Sequence, residues 1–380
     1  MSYMPKTQDV NLLQQTNRAI FSKVELLSHD FKILDSLEGN TLNYSISIDA
    51  DSDIRRTCSL SLYVQNASFT PSSSSRIWMD KFLRIYMGLK DQRTQQTIWY
   101  GQGIFIIDGA SYSFDASTQE LSLSCSDLMS VLVNTCYNPQ MVSEITIPAG
   151  SSARSVLISL LETLDSAIPY RIDDLGAIPY DLVFSLGTTL YEIMAKIRDL
   201  YPGWEFFFDT NGTFVFEAIP SGSSDPVVLD DTILQSLVVN ESTDYDFSEV
   251  KNRVAVYGRT LDDGTQIYGE AKDTLTDSPF SISRIGERME VLSGGDYDLI
   301  TTNDLAQQRA DYELWRLTRL NDGMSLETIA IYWLDVNQKI AYTSKITGVS
   351  AEYLIKQIAY SSTDTTMSLD MIKFYPTLPE

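Results

Sequence analysis

The sequence predicts an α+β fold, mainly β, in which two strand-rich blocks flank a small α/β lobe. Three observations carry this. Apolar and polar residues alternate over much of 23–135 and again from Val250 onward, the period of strands with one buried face. Turn-forming residues punctuate both outer blocks at short intervals, as in barrels and sandwiches. Between them one short pattern occurs twice. Ile145–Ser152 runs into Ala153–Leu157, and Leu182–Thr189 runs into Leu190–Met194; each reads as a strand, a glycine, two hydroxyl residues suited to capping, and an amphipathic helix.

In chain order, residues 1–22 are polar and rich in Gln and Asn, and are expected to form an arm or a loosely held helix. The first β domain is expected over 23–135. Leu42, Tyr44, Ile46 and Ile48 alternate with polar residues, as do Cys58, Leu60, Leu62 and Val64. Residues 71–75 (PSSSS) form a loop. Further strands are expected at Phe82–Met87, Ile98–Tyr100, Ile104–Asp108, Tyr112–Phe114 and Leu121–Cys125, with Asp115–Gln119 turning between the last two.

The lobe is expected over 136–247. Ala153, Val156, Leu157, Leu160, Leu161 and Leu164 fall on one helical face, and Leu190, Ile193, Met194, Ile197, Leu200 and Tyr201 fall on another. Thr189 and Glu192 have capping-box spacing, and Pro202-Gly203 stops the second helix. Asn211-Gly212 between Trp204–Asp209 and Thr213–Glu217 marks a hairpin, because both residues tolerate positive φ.

The second β domain is expected over 248–380. Its strands are Arg253–Tyr257, Ile267–Ala271, Thr328–Trp333, Lys339–Tyr342, Tyr353–Tyr360 and Met367–Phe374. One helix interrupts them near 303–320, capped by Thr302 or Asn303, with Ala306, Ala310, Leu314 and Leu317 as its apolar stripe. It is expected either to lie on or plug a barrel, or to join two sheets at the surface.

Composition narrows the function. Hydrophobic residues at 43% and charged residues at 21% describe an ordinary globular protein. Against 28 Lys and Arg stand 51 Asp and Glu, a net charge of −23, which disfavours gripping a phosphate backbone. From Asp199 to Glu249 there are eleven acids and no base. This run reads either as a solvated acidic face or as a surface that nucleic acid or anionic lipid must pass without sticking. Cys58, Cys125 and Cys136 lack CxxC spacing and are odd in number, which favours a reducing place of synthesis. No secretory signal or transmembrane run is visible, so no membrane anchor is expected.

Tests for chemistry return little. His29 is the single histidine, so a zinc site or a hydrolase triad would depend on it alone, and it reads as structural. Asp49, Asp51 and Asp53 mimic the opening of a calcium loop, but Ile54 stands where glycine is needed and Leu60 where a bidentate glutamate is needed. A looser surface calcium site stays open. There is no Walker A loop, no G-x-G-x-x-G and no G-x-S-x-G. Trp78, Trp99, Trp204, Trp315 and Trp333 have the chemistry to stack sugars or bases, yet read first as strand-core and interface residues.

The order of parts resembles a known family. Asp53–Leu60, Trp99–Phe105 and Leu121–Asp127 resemble the first barrel of phage tail hub proteins; Pro202–Gly212 resembles their central lobe. Val250–Gly258, Ile285–Arg288 and the Ala306–Leu317 helix resemble their second barrel. The family comprises contractile-tail baseplate hubs, late-control D proteins and the N-terminal region of type VI secretion spikes. The resemblance spans about residues 23–375 and implies two β-barrel domains around an α/β lobe. It also implies a homotrimer adapting a six-fold tail tube to a three-fold tip, with DNA passing through its channel without specific binding. Implied partners are a tail tube or distal tail protein, a tip, spike or receptor-binding protein, and a tape-measure protein. The implied location is the virion tail tip or baseplate, after assembly in the bacterial host cytoplasm. The acidic excess is then expected to line the channel. The resemblance carries over no catalytic, cofactor-binding or metal-ligating residue and no cofactor, so a non-enzymatic protein is expected. No needle repeat or hydrolase segment precedes Glu380, so such an activity is expected on a separate chain.

Two rival readings remain at this level. Leu186–Ile193 resembles the start of a LysM repeat, which points to a cell-wall carbohydrate-binding module of a phage tail; the unit at Gly150 lacks the matching leucine. A carboxylate-dependent peptidoglycan hydrolase needs only two acids at a set separation, though nothing marks such a pair.

Overall fold

A computed structural model describes residues 4–37, 41–64, 69, 72–73, 75–114, 119–133, 143–201, 203–261, 263–318 and 321–375. The chain divides into two compact units: unit 1 is Met1–Glu241 with Ser325–Phe374, and unit 2 is Ser242–Met324 with Tyr375–Glu380. Strand dominates, as the alternation predicts, in large antiparallel sheets.

Unit 1 opens with α1 (Thr7–Leu13), β1 (Ile20–Leu27), β2 (Ile33–Ser36), β3 (Thr41–Asp49), β4 (Arg56–Tyr63), β5 (Phe82–Lys90), β6 (Thr97–Phe114), β7 (Gln119–Asp127) and α2 (Ser130–Val133). The N-terminal helix is firmly held. Leu12 and Leu13 are buried, and Asp9 accepts a 2.7 Å hydrogen bond from the Tyr100 hydroxyl. The three strands expected between 98 and 114 are one continuous strand, β6. Register shifts at Ile107/Gly109 and opposite Ile85/Tyr86 break its alternation, as bulges do. The turn expected at 115–119 lies largely outside the described residues.

The lobe follows: β8 (Ile145–Ile147), α3 (Ala153–Leu164), β9 (Tyr170–Ile172), β10 (Leu182–Phe184), α4 (Leu190–Asp199), β11 (Trp204–Phe208) and β12 (Phe214–Ala218). Both copies of the repeated pattern fold as expected, and their strands β8 and β10 pair antiparallel. The Ser152 hydroxyl accepts from the Ser155 N–H, while Thr189 and Glu192 complete a reciprocal capping box. Leu190, Ile193, Met194 and Ile197 bury one face of α4 against the aromatic hairpin β11–β12; each contributes roughly 1.5–3 kcal/mol. The hairpin turns at Gly212, φ 83°.

Next come β13 (Val227–Leu229), α5 (Asp231–Leu237) and β14 (Val238–Asp246). The chain passes between the units within β14 and within β18 (Asn321–Ile329). It finishes unit 1 with β19 (Lys339–Thr343), β20 (Ser350–Ser361) and β21 (Thr366–Lys373). The strand expected at Thr328–Trp333 ends early, at Ile329. Ala330–Leu334 is instead a buried turn, whose unbroken apolar run carries no strand period.

One large sheet gathers strands from both ends of the chain in the order β14-β18-β21-β20-β3-β4-β7-β6-β5-β1-β2, with β13 and β19 attached beside β20. The join is antiparallel pairing of Ser45–Asp49 with Gln357–Ser361. Among the described residues its hydrogen-bonded path is open, ending at β14 and at β2.

Unit 2 is a three-stranded sheet, ordered β16 (Gln266–Lys272), β15 (Arg253–Thr260), β17 (Met289–Leu292). A one-turn helix, α6 (Ile282–Ile285), and a 3-10 turn at Gly295–Leu299 precede the long helix α7 (Asn303–Leu317). The Thr302 hydroxyl caps α7 as expected, and the helix lies on its own small sheet, burying Ala306 and Ala310 against Val254, Val256 and Ile267. The approach is close because Gly269 has no side chain: a Cβ there would stand 2.3 Å from the Ala306 carbonyl carbon. Gly269→Ala is therefore expected to destabilise unit 2 by about 2 kcal/mol or more. Hydrogen exchange should show faster amides in β15, β16 and α7 with those of β3 and β4 unchanged. Unaltered exchange in unit 2 would contradict this packing.

Candidate functional site

The most distinctive surface in unit 1 is one face of the large sheet. Alternation sends Tyr44, Ile46 and Ile48 of β3, and Cys58, Leu60 and Leu62 of β4, into the core. It sends Ser45, Ser47, Thr57, Ser59 and Ser61 outward. Strand register then aligns these hydroxyls across the sheet. Ser361, Ser45, Ser59 and Ser124 stand in one row, and Ser368, Ala359, Ser47, Thr57 and Ser126 in the next. The result is a shallow hollow of about 790 Å³ whose charged lining is Asp108, Glu327 and Asp364, with no Lys, Arg or His. Gln357 donates to Asp49 at 2.8 Å, and Ser325 to Asp370 at 2.5 Å. Partial burial pushes the Asp108 carboxyl above its usual range, and a hydrogen bond from Ser126 opposes that shift.

A charged cluster at the start of β4 anchors the sheet to the lobe hairpin. Arg56 occupies an inward position and is 1% exposed. Its backbone N–H donates to Asp127 at 2.9 Å, one guanidinium nitrogen donates to the Phe208 carbonyl at 2.9 Å, and the other pairs with Asp335. Arg55 pairs with Glu205 while stacking 3.6 Å over the Phe207 ring, and Asn337 donates to Glu205 at 2.6 Å. Arg55, Arg56, Glu205, Phe207 and Asp335 edge a cleft of about 580 Å³. Every buried charge named here has an opposite charge or a backbone partner, the condition under which such groups are tolerated. The cluster is a structural clamp. Sequence reading missed it, although Arg56 shares the inward register of Cys58, Leu60 and Leu62, which was its signal.

The fold matches that of solved phage tail proteins. The chain is similar to the 43 kDa tail protein of prophage MuSo2 from Shewanella oneidensis, at 16% identity and a TM-score of 0.63, covering 93% of this chain and 98% of that one. It is similar to a tail protein from Neisseria meningitidis MC58, at 15% identity and a TM-score of 0.61, covering 93% and 96%. A chain of the Francisella PdpA-VgrG complex matches at 10% identity and a TM-score of 0.54, over 98% of this chain and 62% of that one. A domain family of unknown function, DUF5048, matches residues 277–378. No curated protein matches the sequence.

Within this fold the residues singled out from sequence are dispersed. His29 sits in the turn between β1 and β2, its ring 5.7 Å from that of Phe82. Asp49 is bonded to Gln357, Asp51 pairs with Lys356 at 2.7 Å, and Asp53 accepts from the Tyr191 hydroxyl. Each of the three carboxylates thus turns to a different partner. Among the described residues no group of three or more His, Cys, Asp or Glu is placed to hold a metal. Cys58 and Cys125 face each other across β4 and β7 as buried thiols, and burial pushes Cys58 up to about 12; Cys136 lies outside the described residues. Trp333 is buried, Trp204 packs on Phe216, Trp315 on Tyr312, and Trp99 is half-exposed. Among the described residues no helix is long and apolar enough to cross a membrane.

Several acids of the run from Asp199 to Glu249 are employed in the structure. Asp209 accepts the N–H groups of Asn211 and Thr213, Asp225 those of Ser221 and Gly222, and Asp230 caps α5. Asp231 and Glu241 bind Thr343 and Tyr342. Asp209, Asp225 and Asp230 satisfy turn and helix-start donors, while Asp231 and Glu241 tie the segment to β19, so the run is more than a solvated face.

Burial pushes the Asp127 carboxyl up to about 6, against the pull of Arg56 and two backbone N–H donors. A folded-state value above the unfolded one means that this group's stabilising contribution is full below about pH 4 and is lost as pH rises through about 6. Carboxyl NMR of the folded protein is expected to show Asp127 titrating near 6. A midpoint at or below about 4 would mean that the Arg56 and N–H contacts, and not burial, dominate at Asp127.

Proposed function

We propose that this chain is a structural protein of a phage tail, serving as a trimeric hub at the tail tip or baseplate. In this reading it adapts a six-fold tail tube to a three-fold tip, assembles in the bacterial cytoplasm, and stays in the virion. Its neighbours are a tail tube or distal tail protein on one side, a tip, spike or receptor-binding protein on the other, and a tape-measure protein within. The observation that carries the reading is likeness to tail proteins across nearly the full length of both chains. The similarity to a chain of a VgrG complex supports the hub position.

The hydroxyl face supplies the physical part. A channel wall for DNA has to be wettable and must not pair with phosphates, since each Lys or Arg contact adds a salt-dependent increment of affinity. A face of Ser and Thr with scattered carboxylates and no cation meets both requirements. We assign this face to the channel, and the protein is non-enzymatic.

The test is DNA retention. Wild-type protein is expected to leave duplex DNA unretarded in a mobility assay at low salt. The triple variant Ser47→Lys, Ser59→Lys, Ser124→Lys, at exposed positions, is expected to retard it, with an effect that vanishes steeply as salt rises. Wild-type protein that itself binds DNA at low salt would contradict the channel assignment.

A further inference from the structure

We infer that the cleft beside the Arg55 and Arg56 clamp is a binding site for a neutral oligosaccharide, which stacks on Trp99 and hydrogen-bonds to the tip of the lobe hairpin. The inference stands on this cleft and not on the tail reading. At about 580 Å³ the cleft falls within the range of small-ligand sites, roughly 300–1,000 Å³, and all its lining residues belong to unit 1.

Trp99 supplies the platform. Its register partner across β5 and β6 is Gly88, and a Cβ there would lie 2.8 Å from Cε3 and 2.9 Å from Cζ3 of the indole. The ring is therefore seated against the sheet in space that only glycine leaves, and the residue is still 42% exposed. A large aromatic surface held in place and open to water gains from being covered. The C–H face of a sugar ring suits it, being apolar, and leaves the hydroxyls at the ring edge for polar partners.

Those partners stand on the hairpin. Thr210 packs beside Gly101, which is two residues along β6 from Trp99 and on the same face of the strand; a Cβ on Gly101 would meet the Thr210 hydroxyl at 3.7 Å. Asp209 commits Oδ1 to the N–H groups of Asn211 and Thr213, which keeps Oδ2 as an acceptor. Asn211 is exposed and offers an amide that both donates and accepts. Arg171, with one nitrogen on Glu217 at 2.6 Å, has further N–H groups to donate.

The charges disfavour an ionic ligand. The lining carries four Lys and Arg against five Asp and Glu, close to neutral in a chain of −23. Arg55 is paired with Glu205, Arg56 with Asp335 and Arg171 with Glu217, so an anion meets no uncompensated cation cluster. A nucleobase shares the stacking chemistry, but its phosphates would face these acids without enough cations to hold them. A ligand with many hydroxyls and no charge matches the whole lining. The bond from Arg56 to the Phe208 carbonyl also ties the sheet wall to the hairpin wall, so little ordering is needed on binding.

The experiment is isothermal titration calorimetry of the full chain with three probes: the hexamer of N-acetylglucosamine, the hexamer of glucose, and a single-stranded hexamer of thymidylate. Wild type is expected to bind at least one saccharide and not the DNA, and the better saccharide tells an acetylamino glycan from a plain one. Trp99→Ala is expected to weaken saccharide binding about tenfold or more and Trp99→Phe to weaken it less. Tyr112→Ala, at an exposed aromatic of β6 outside the cleft, is expected to leave it unchanged. Hydrogen exchange on wild type, which needs no variant, is expected to slow with saccharide in residues 97–102 and 209–213 and to stay unchanged in β15 and β16. Any one of four results would overturn the site: no saccharide binding at millimolar concentration, preference for the DNA, undiminished binding by a Trp99→Ala protein with wild-type circular dichroism, or amides of those two segments indifferent to bound saccharide.

Discussion

Five residue pairs between β3 and β20 hold unit 1 together as one sheet. Ser45–Asp49 and Gln357–Ser361 are more than three hundred positions apart in the chain, yet they are adjacent strands. Through this pairing β18, β20 and β21 gain a partner in the N-terminal block, and the hydroxyl rows of β3, β4 and β7 continue onto β20 and β21. Such a contact is expensive to form, because a long loop is closed before any hydrogen bond rewards it. Arg56 compensates from β4, the next strand over. It ties the sheet to the Phe208 carbonyl of the lobe and to Asp335 on the approach to β19. One buried cation thereby links three sequence-distant segments.

Local features were legible in the sequence, and long-range ones were not. The repeated strand–helix unit, the Thr189–Glu192 capping box, the Asn211-Gly212 turn and the Thr302 cap of α7 were all readable, because each is decided within a few residues. The segment α5–β14 went unread although Asp230 followed by Ile233, Leu234 and Leu237 signals a capped helix; the acidic surroundings masked it. The continuity of β6 was hidden because bulges at Ile107/Gly109 and opposite Ile85/Tyr86 reset the alternation. Pairing of β3 with β20 leaves no local trace, so the sharing of one sheet by both outer blocks was beyond reach.

The proposed channel face shows the same division. That Ser45, Ser47, Thr57 and Ser59 face away from the core follows from alternation alone. That they align with Ser124, Ser361 and Ser368 into rows requires the register of five strands, which only the structure supplies. The surface is unusual for what it lacks: strands that expose one face commonly carry Lys and Arg among their polar residues, and this hollow carries neither. Meanwhile many acids of 199–249, the most visible charge feature of the sequence, are drawn into turns, a cap, ion pairs and bonds to β19. The face proposed to line the channel is thus built from small hydroxyls, with charge in a minor part.

In the proposed reading the product of this fold is geometry, with the sheet as its working part. Electron cryomicroscopy of the purified full-length protein tests that claim most directly. The account predicts a three-fold ring with a central opening, lined by the face that bears Ser47, Ser59 and Ser124. A monomer, or a ring in which that face is buried between copies or turned to the outside, would contradict it.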